Sequence, residues 1–94
     1  MKAELLLWER HQLAADAFAE LRVWRVLPPV RGSAHEFKYV LAYVVAGVCV
    51  LRYDNEVSKG DHTHFGSAER PCDFTTPARL LADFWRDIDR WRPA

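Results

Sequence analysis

Residues 36–45 constrain the fold of this chain more than any other segment. Phe37, Tyr39, Leu41, Tyr43 and Val45 alternate with Lys38, Val40, Ala42 and Val44, and a period of two places each set on its own side of an extended strand. Ala46-Gly47 follows, and residues 48–55 form a second β-branched and aromatic run of nearly equal length. Two such runs joined by two residues read as an antiparallel hairpin. Ala46 is unusual in that turn, where Asn or Asp tolerates the left-handed backbone better.

The flanking segments extend the sheet. A strand over residues 3–12, a turn near 14–16 and a second strand over 18–27, stopped by Pro28 and Pro29, are the expected order. The Glu, Leu, Ala and Arg content of the opening residues leaves a helix in place of the first strand open. Residues 28–34 carry two prolines, Gly32 and Ser33 and read as a loop. Near the C-terminus, Thr76 is a candidate cap with Pro77 at the first helical position. Leu80, Leu81, Phe84, Trp85, Ile88 and Trp91 then recur at helical spacing, with Arg79, Asp83, Arg86, Asp87 and Arg90 on the polar side. The expectation is an α+β domain, with a mainly antiparallel four-stranded sheet and the C-terminal amphipathic helix packed on one face.

At 94 residues the chain fits one domain, 1–94, with a single core. Thirteen Lys and Arg balance thirteen Asp and Glu, so the formal net charge is zero. A generally basic nucleic-acid-binding surface is thereby excluded; any RNA contact has to be local, and its affinity should fall only gently with salt. Cys49 and Cys72 have neither CxxC nor zinc-finger spacing and read as reduced thiols. No apolar run suits a signal-peptide core or reaches the roughly 20 residues of a membrane helix. The expected location is the cytoplasm.

Reactive side chains concentrate in Tyr53-Asp54-Asn55 and in Lys59-Gly60-Asp61-His62-Thr63-His64. Residues 56–71 are polar and glycine-bearing and read as a functional loop rather than core. If this stretch is locally extended, His62 and His64 project to the same side. Two imidazoles beside a cation suit metal-free RNA cleavage. One takes the ribose 2′-hydroxyl proton, a protonated partner serves the leaving 5′-oxygen, and Lys59, helped by Arg10 or Arg52, holds the phosphate. Asp61 or Asp54 would orient a ring. The candidate catalytic set is therefore His62, His64, Asp61 and Lys59, flanked by Arg10, His11, Arg52, Tyr53, Asp54 and Asn55 for substrate, without a required metal or other cofactor. A second reading makes His62, His64 and one of these carboxylates the ligands of a divalent ion. The plainest reading is a hydrogen-bonded turn with solvated histidines. His35 reads as a turn residue, and Trp8, Trp24, Trp85 and Trp91 as core or interface residues.

The order of these elements resembles the TumE family of bacterial toxin–antitoxin proteins. The likeness rests on Glu9-Arg10-His11, Val23-Trp24-Arg25-Val26, the hairpin ending Leu51-Arg52-Tyr53-Asp54-Asn55-Glu56, the Lys59–His64 block and a Trp-bearing terminal helix. Phe65, after the second histidine, is a departure where a polar residue is expected. The resemblance implies the toxin of a two-gene pair whose partner is a helix-turn-helix antitoxin. Ribonuclease action is argued from the residues, with RNA as substrate, and not from the family. A non-enzymatic interaction module and a metal-dependent hydrolase or nucleotide-modifying enzyme are the competing readings.

Overall fold

The computed structural model describes residues 2–55 and 60–91. Six strands follow one another as neighbours in a single antiparallel meander: β1 (Lys2–Ala14), β2 (Ala17–Leu27), β3 (Phe37–Val45), β4 (Val48–Asp54), β5 (His62–Phe65) and β6 (Ala68–Pro71). Among the described residues one helix, α1 (Pro77–Trp91), follows the sheet. The sheet therefore has six strands rather than four. β1 and β2 match the expected pair to within two residues at each end, and the helical alternative for the opening segment is excluded.

The central hairpin forms where the alternation places it, with Val45 opposite Val48 across the turn. Both turn residues have positive φ, 50° at Ala46 and 78° at Gly47, as the right-handed twist of two directly joined strands requires. A non-glycine residue held there is unfavourable.

Alternation sorts the sheet into two faces. Ala17, Ala19, Leu21 and Val23 of β2, Tyr39, Leu41 and Tyr43 of β3, and Leu51 and Tyr53 of β4 are buried together with Leu80, Phe84 and Ile88 of α1. These helix residues are spaced by four, as a single buried stripe requires. Side chains of α1 touch the strands on this face: Phe84 meets Tyr53 edge-on at 5.5 Å, Trp91 meets Tyr43 at 5.5 Å and Trp85 meets His11 at 5.2 Å. The helix starts as its sequence dictates. The Arg79 amide donates to Thr76 Oγ1 at 3.1 Å, and Pro77 takes a position whose missing N–H costs nothing.

Residues 62–65 correct the reading of 56–71 as a loop that cannot be core. His-Thr-His-Phe is a strand, and His62 and Thr63 are buried. Neither β5 nor β6 has an apolar stripe of its own. Each extends an existing edge, where β4 already supplies a backbone ladder and the pairing Leu51–Phe65, Arg52–His64, Tyr53–Thr63 and Asp54–His62. The Gly66-Ser67 turn sets the next register, with Phe65 opposite Ala68 and His64 opposite Glu69.

Candidate functional site

The same alternation that sends Tyr53 and Thr63 inward turns Arg52, Asp54, His62 and His64 to the face opposite α1. Register aligns them in transverse rows. One row runs Trp8, Arg22, Val40, Asp54, His62; the next runs Arg10, Glu20, Ala42, Arg52, His64, Glu69. Adjacent positions in two neighbouring rows therefore bring a carboxylate and two imidazoles together without any loop to position them.

Their side chains converge. His62 Nε2 lies 2.6 Å and His64 Nε2 3.8 Å from Asp54 Oδ1, and the two rings sit 4.7 Å apart, nearly perpendicular. Arg52 Nε lies 2.7 Å from Asp54 Oδ2. Glu69 of β6 completes the rim, with its oxygens 3.7 Å from His62 Nε2 and 3.9 Å from His64 Nδ1. Burial separates the members. Asp54 and His62 are 1% and 3% exposed, whereas the His64 side chain is 28% exposed and faces solvent beside Arg52 and Glu69.

The tautomer of His62 follows from its surroundings. Nδ1 is 2.9 Å from the Gly60 carbonyl, which can only accept, so Nδ1 carries the hydrogen. Gly60 itself is buried with φ of 76°, and a Cβ there would come within 3.0 Å of the Gly32 carbonyl oxygen. Only glycine fits this corner without movement.

Asp61, one residue before His62, points to the opposite face. Its Oδ1 accepts from Tyr39 Oη at 2.6 Å and from His35 Nε2 at 2.8 Å. The Phe37 amide donates to His35 Nδ1 at 3.1 Å, which leaves the ring hydrogen on Nε2 for Asp61. His35 also stacks on Phe74 at 3.7 Å. Asp61 thus orients His35, and Asp54 is the carboxylate beside His62. Burial, and then the hydrogen bond to Asp61, push the Tyr39 hydroxyl far above the ordinary tyrosine range. Burial, and then the bond to Asp87, do the same for Tyr53. Burial also raises the Cys72 thiol. A separate cavity of about 400 Å³ lies under this region, lined by Thr63, Cys72, Phe74, Arg79 and Asp83.

The remaining candidates disperse. Tyr53 is a core residue whose hydroxyl donates to Asp87. Asn55 is buried and acts as a backbone substitute at the end of β4: Oδ1 accepts from the Tyr39 amide at 3.0 Å, while Nδ2 donates to the Phe37 carbonyl at 2.7 Å. His11 faces Trp85 and bonds Glu9. Arg10 shares the row of Arg52 and His64, but lies three strand spacings from Arg52 and four from His64, about 14 Å and about 19 Å at the usual strand spacing; it lies over the Phe18 ring at 3.8 Å. Lys59 falls outside the described residues. Glu69 is the polar group that sequence reasoning passed over, and His35, read as a turn residue, also holds Asp61. The Gly66-Ser67 turn was the signal for Glu69, since a two-residue hairpin there puts it opposite His64.

The family model described as Toxin TumE matches residues 3–92, nearly the whole chain. This chain belongs to the TumE toxin family. As a TumE-family toxin it has an antitoxin as its implied partner. No curated protein and no solved structure matches it. The matched span includes every member of the Asp54, His62, His64 and Glu69 cluster. Among the described residues of this TumE-family chain, no helix is long and apolar enough to cross a membrane.

Proposed function

We propose that this chain is the toxin of a two-gene pair, that its target is RNA in the cytoplasm, and that it cuts the phosphodiester backbone at Asp54, His62 and His64. The observation that carries this reading is the convergence of two imidazoles and a buried carboxylate, with ligand atoms all within 4.8 Å, on the sheet face opposite α1, where His64 beside Arg52 reaches solvent. Phosphodiester cleavage needs a proton acceptor for the attacking oxygen, a donor for the departing one and a cation for the charge between them. The cluster offers two routes to the acceptor. One is an imidazole acting directly, for which His64 is the ring that solvent reaches. The other is a water activated by an ion held between the histidines and Asp54.

RNA as the target is supported by the rest of that face. Arg10 lies over Phe18, Arg22 over Trp8 at 5.9 Å and Lys38 over Trp24 at 5.8 Å. Trp8 is 65% exposed despite its size. Alternating cations and aromatic rings supply phosphate contacts and stacking surfaces together, in a protein whose overall charge is zero. The toxin family supports an antitoxin partner, of helix-turn-helix type in this proposal. The exposed apolar side chains Leu5, Leu6, Trp8 and Leu27 give a protein partner an apolar edge.

The test is inducible expression in bacteria of the wild type, alone and with the neighbouring gene, beside His64→Ala. Growth arrest with fragmentation of total RNA, both relieved by the neighbour and by the substitution, is the expected result. Arrest with intact RNA, or undiminished toxicity of His64→Ala, would overturn the reading.

A further inference from the structure

We propose that Asp54, His62 and His64 form a binding site for one divalent transition ion of the zinc, cobalt or manganese class. The inference goes beyond the proposed RNA cleavage and stands without it. Two neutral imidazoles and one carboxylate are a borderline donor set, suited to these ions and poorly suited to magnesium or calcium, which prefer oxygen.

Three observations carry it. First, the donors sit on adjacent hydrogen-bonded strands, so their mutual spacing within 4.8 Å is fixed by register and not by a mobile loop. Second, the Gly60 carbonyl accepts from His62 Nδ1, which turns Nε2 toward Asp54 as the ring nitrogen available to a ligand. His62 Nε2 and Asp54 Oδ1 are buried, face one another at 2.6 Å, and make no aligned hydrogen bond among the described residues. A buried carboxylate oxygen this close to a ring nitrogen needs a positive charge at the contact, and an ion coordinated by both atoms supplies it. Third, both donors are braced from outside: His62 by the Gly60 carbonyl and Asp54 by Arg52 Nε at 2.7 Å. Outer contacts of this kind set ring tautomer and ligand orientation in metal sites. His64 is partly exposed, and Glu69 stands 3.7–3.9 Å from both rings on the open side. A water on the ion would be reached there, with Glu69 placed to take its proton, and the hydroxide so formed would take the proton of the attacking ribose 2′-hydroxyl. The reaction class is unchanged; the proton acceptor moves from an imidazole to ion-bound water. A cluster that only ties β4, β5 and β6 together by charge is the competing account.

The experiment uses the full-length chain from cell-free synthesis, stripped with chelator and titrated separately with Zn²⁺, Co²⁺, Mn²⁺ and Mg²⁺. Calorimetry, the visible absorption of Co²⁺ and the thermal midpoint are the readouts. One equivalent of Zn²⁺ or Co²⁺ should bind at micromolar concentration or below and raise the midpoint, while Mg²⁺ does neither. His64→Gln, at the partly exposed position where folding is least at risk, should weaken binding by at least about 10- to 100-fold. Absence of one-equivalent binding by Zn²⁺, Co²⁺ and Mn²⁺ alike, or binding that His64→Gln leaves unchanged, overturns the proposal. An assay on RNA in parallel separates the two readings. Ion binding without cleavage keeps this site and removes the ribonuclease reading, and cleavage by a chain that binds no ion does the reverse.

Discussion

Raising the pH should unfold this protein in a way that traces to two hydroxyls and one thiol. Tyr39 and Tyr53 are 0% and 4% exposed, and each donates to a carboxylate, Asp61 and Asp87 respectively. Burial first and the carboxylate second hold both protons far above the ordinary value of about 10. The folded state therefore keeps protons that the unfolded chain releases. The stability these groups contribute is fully present below pH about 10 and is lost as pH rises past the unfolded value toward the folded one. Each retained proton lowers stability by about 1.4 kcal/mol per pH unit above pH 10, so the two tyrosines together give a slope of roughly 3 kcal/mol per unit. Cys72, raised by burial, adds a shallower decline that begins near pH 8.5 to 9, where an unfolded thiol ionises. The assay is urea denaturation followed by circular dichroism at intervals from pH 8 to 11.5, with phenolate absorbance read in parallel. The midpoint should hold to about pH 9 and then fall steeply, with phenolate from Tyr39 and Tyr53 appearing only on unfolding. Tyr39→Phe and Tyr53→Phe should each remove about half of the slope above pH 10. A flat midpoint to pH 11.5, or tyrosinate from both residues near pH 10 in the folded protein, would refute the reasoning.

Two further substitutions test local claims. Ala46→Asn should stabilise the hairpin by about 1 kcal/mol, because Asn tolerates the positive φ that Ala46 adopts; a thermal midpoint that rises by about 4–8 °C would agree. Gly60→Ala combines a φ of 76° with a 3.0 Å approach to the Gly32 carbonyl oxygen and should cost roughly 1–2 kcal/mol or more. An unchanged melting curve would show that this corner yields freely.

The parts of the fold that alternation or helical spacing specify were legible in advance. Residues 36–45 announce β3 because each second side chain is large and apolar, and Thr76-Pro77 announces the start of α1 because cap and fixed φ act locally. β5 was hidden for a physical reason. A strand added to an existing edge draws its stability from the partner's ladder, so His62-Thr63-His64-Phe65 needs no apolar stripe and reads as a loop. Glu69 was lost with it, although Gly66-Ser67 held the register. The candidate site was legible as composition and not as geometry. Alternation correctly puts His62 and His64 on one side once the stretch is extended, and it then also sends Asp61 to His35 and Tyr39. Only the pairing of β4 with β5 brings Asp54 to His62, and such pairing is a property of the folded sheet.

The most direct test of the central claim is incubation of the purified full-length chain with total bacterial RNA, with and without added Zn²⁺, and with His64→Ala at matched folded content as the comparison. Progressive fragmentation by the wild type, reduced by at least about 100-fold in the variant as expected for loss of an acid, base or ligand group, is the predicted result. RNA that stays intact with the wild type under both conditions would contradict the account.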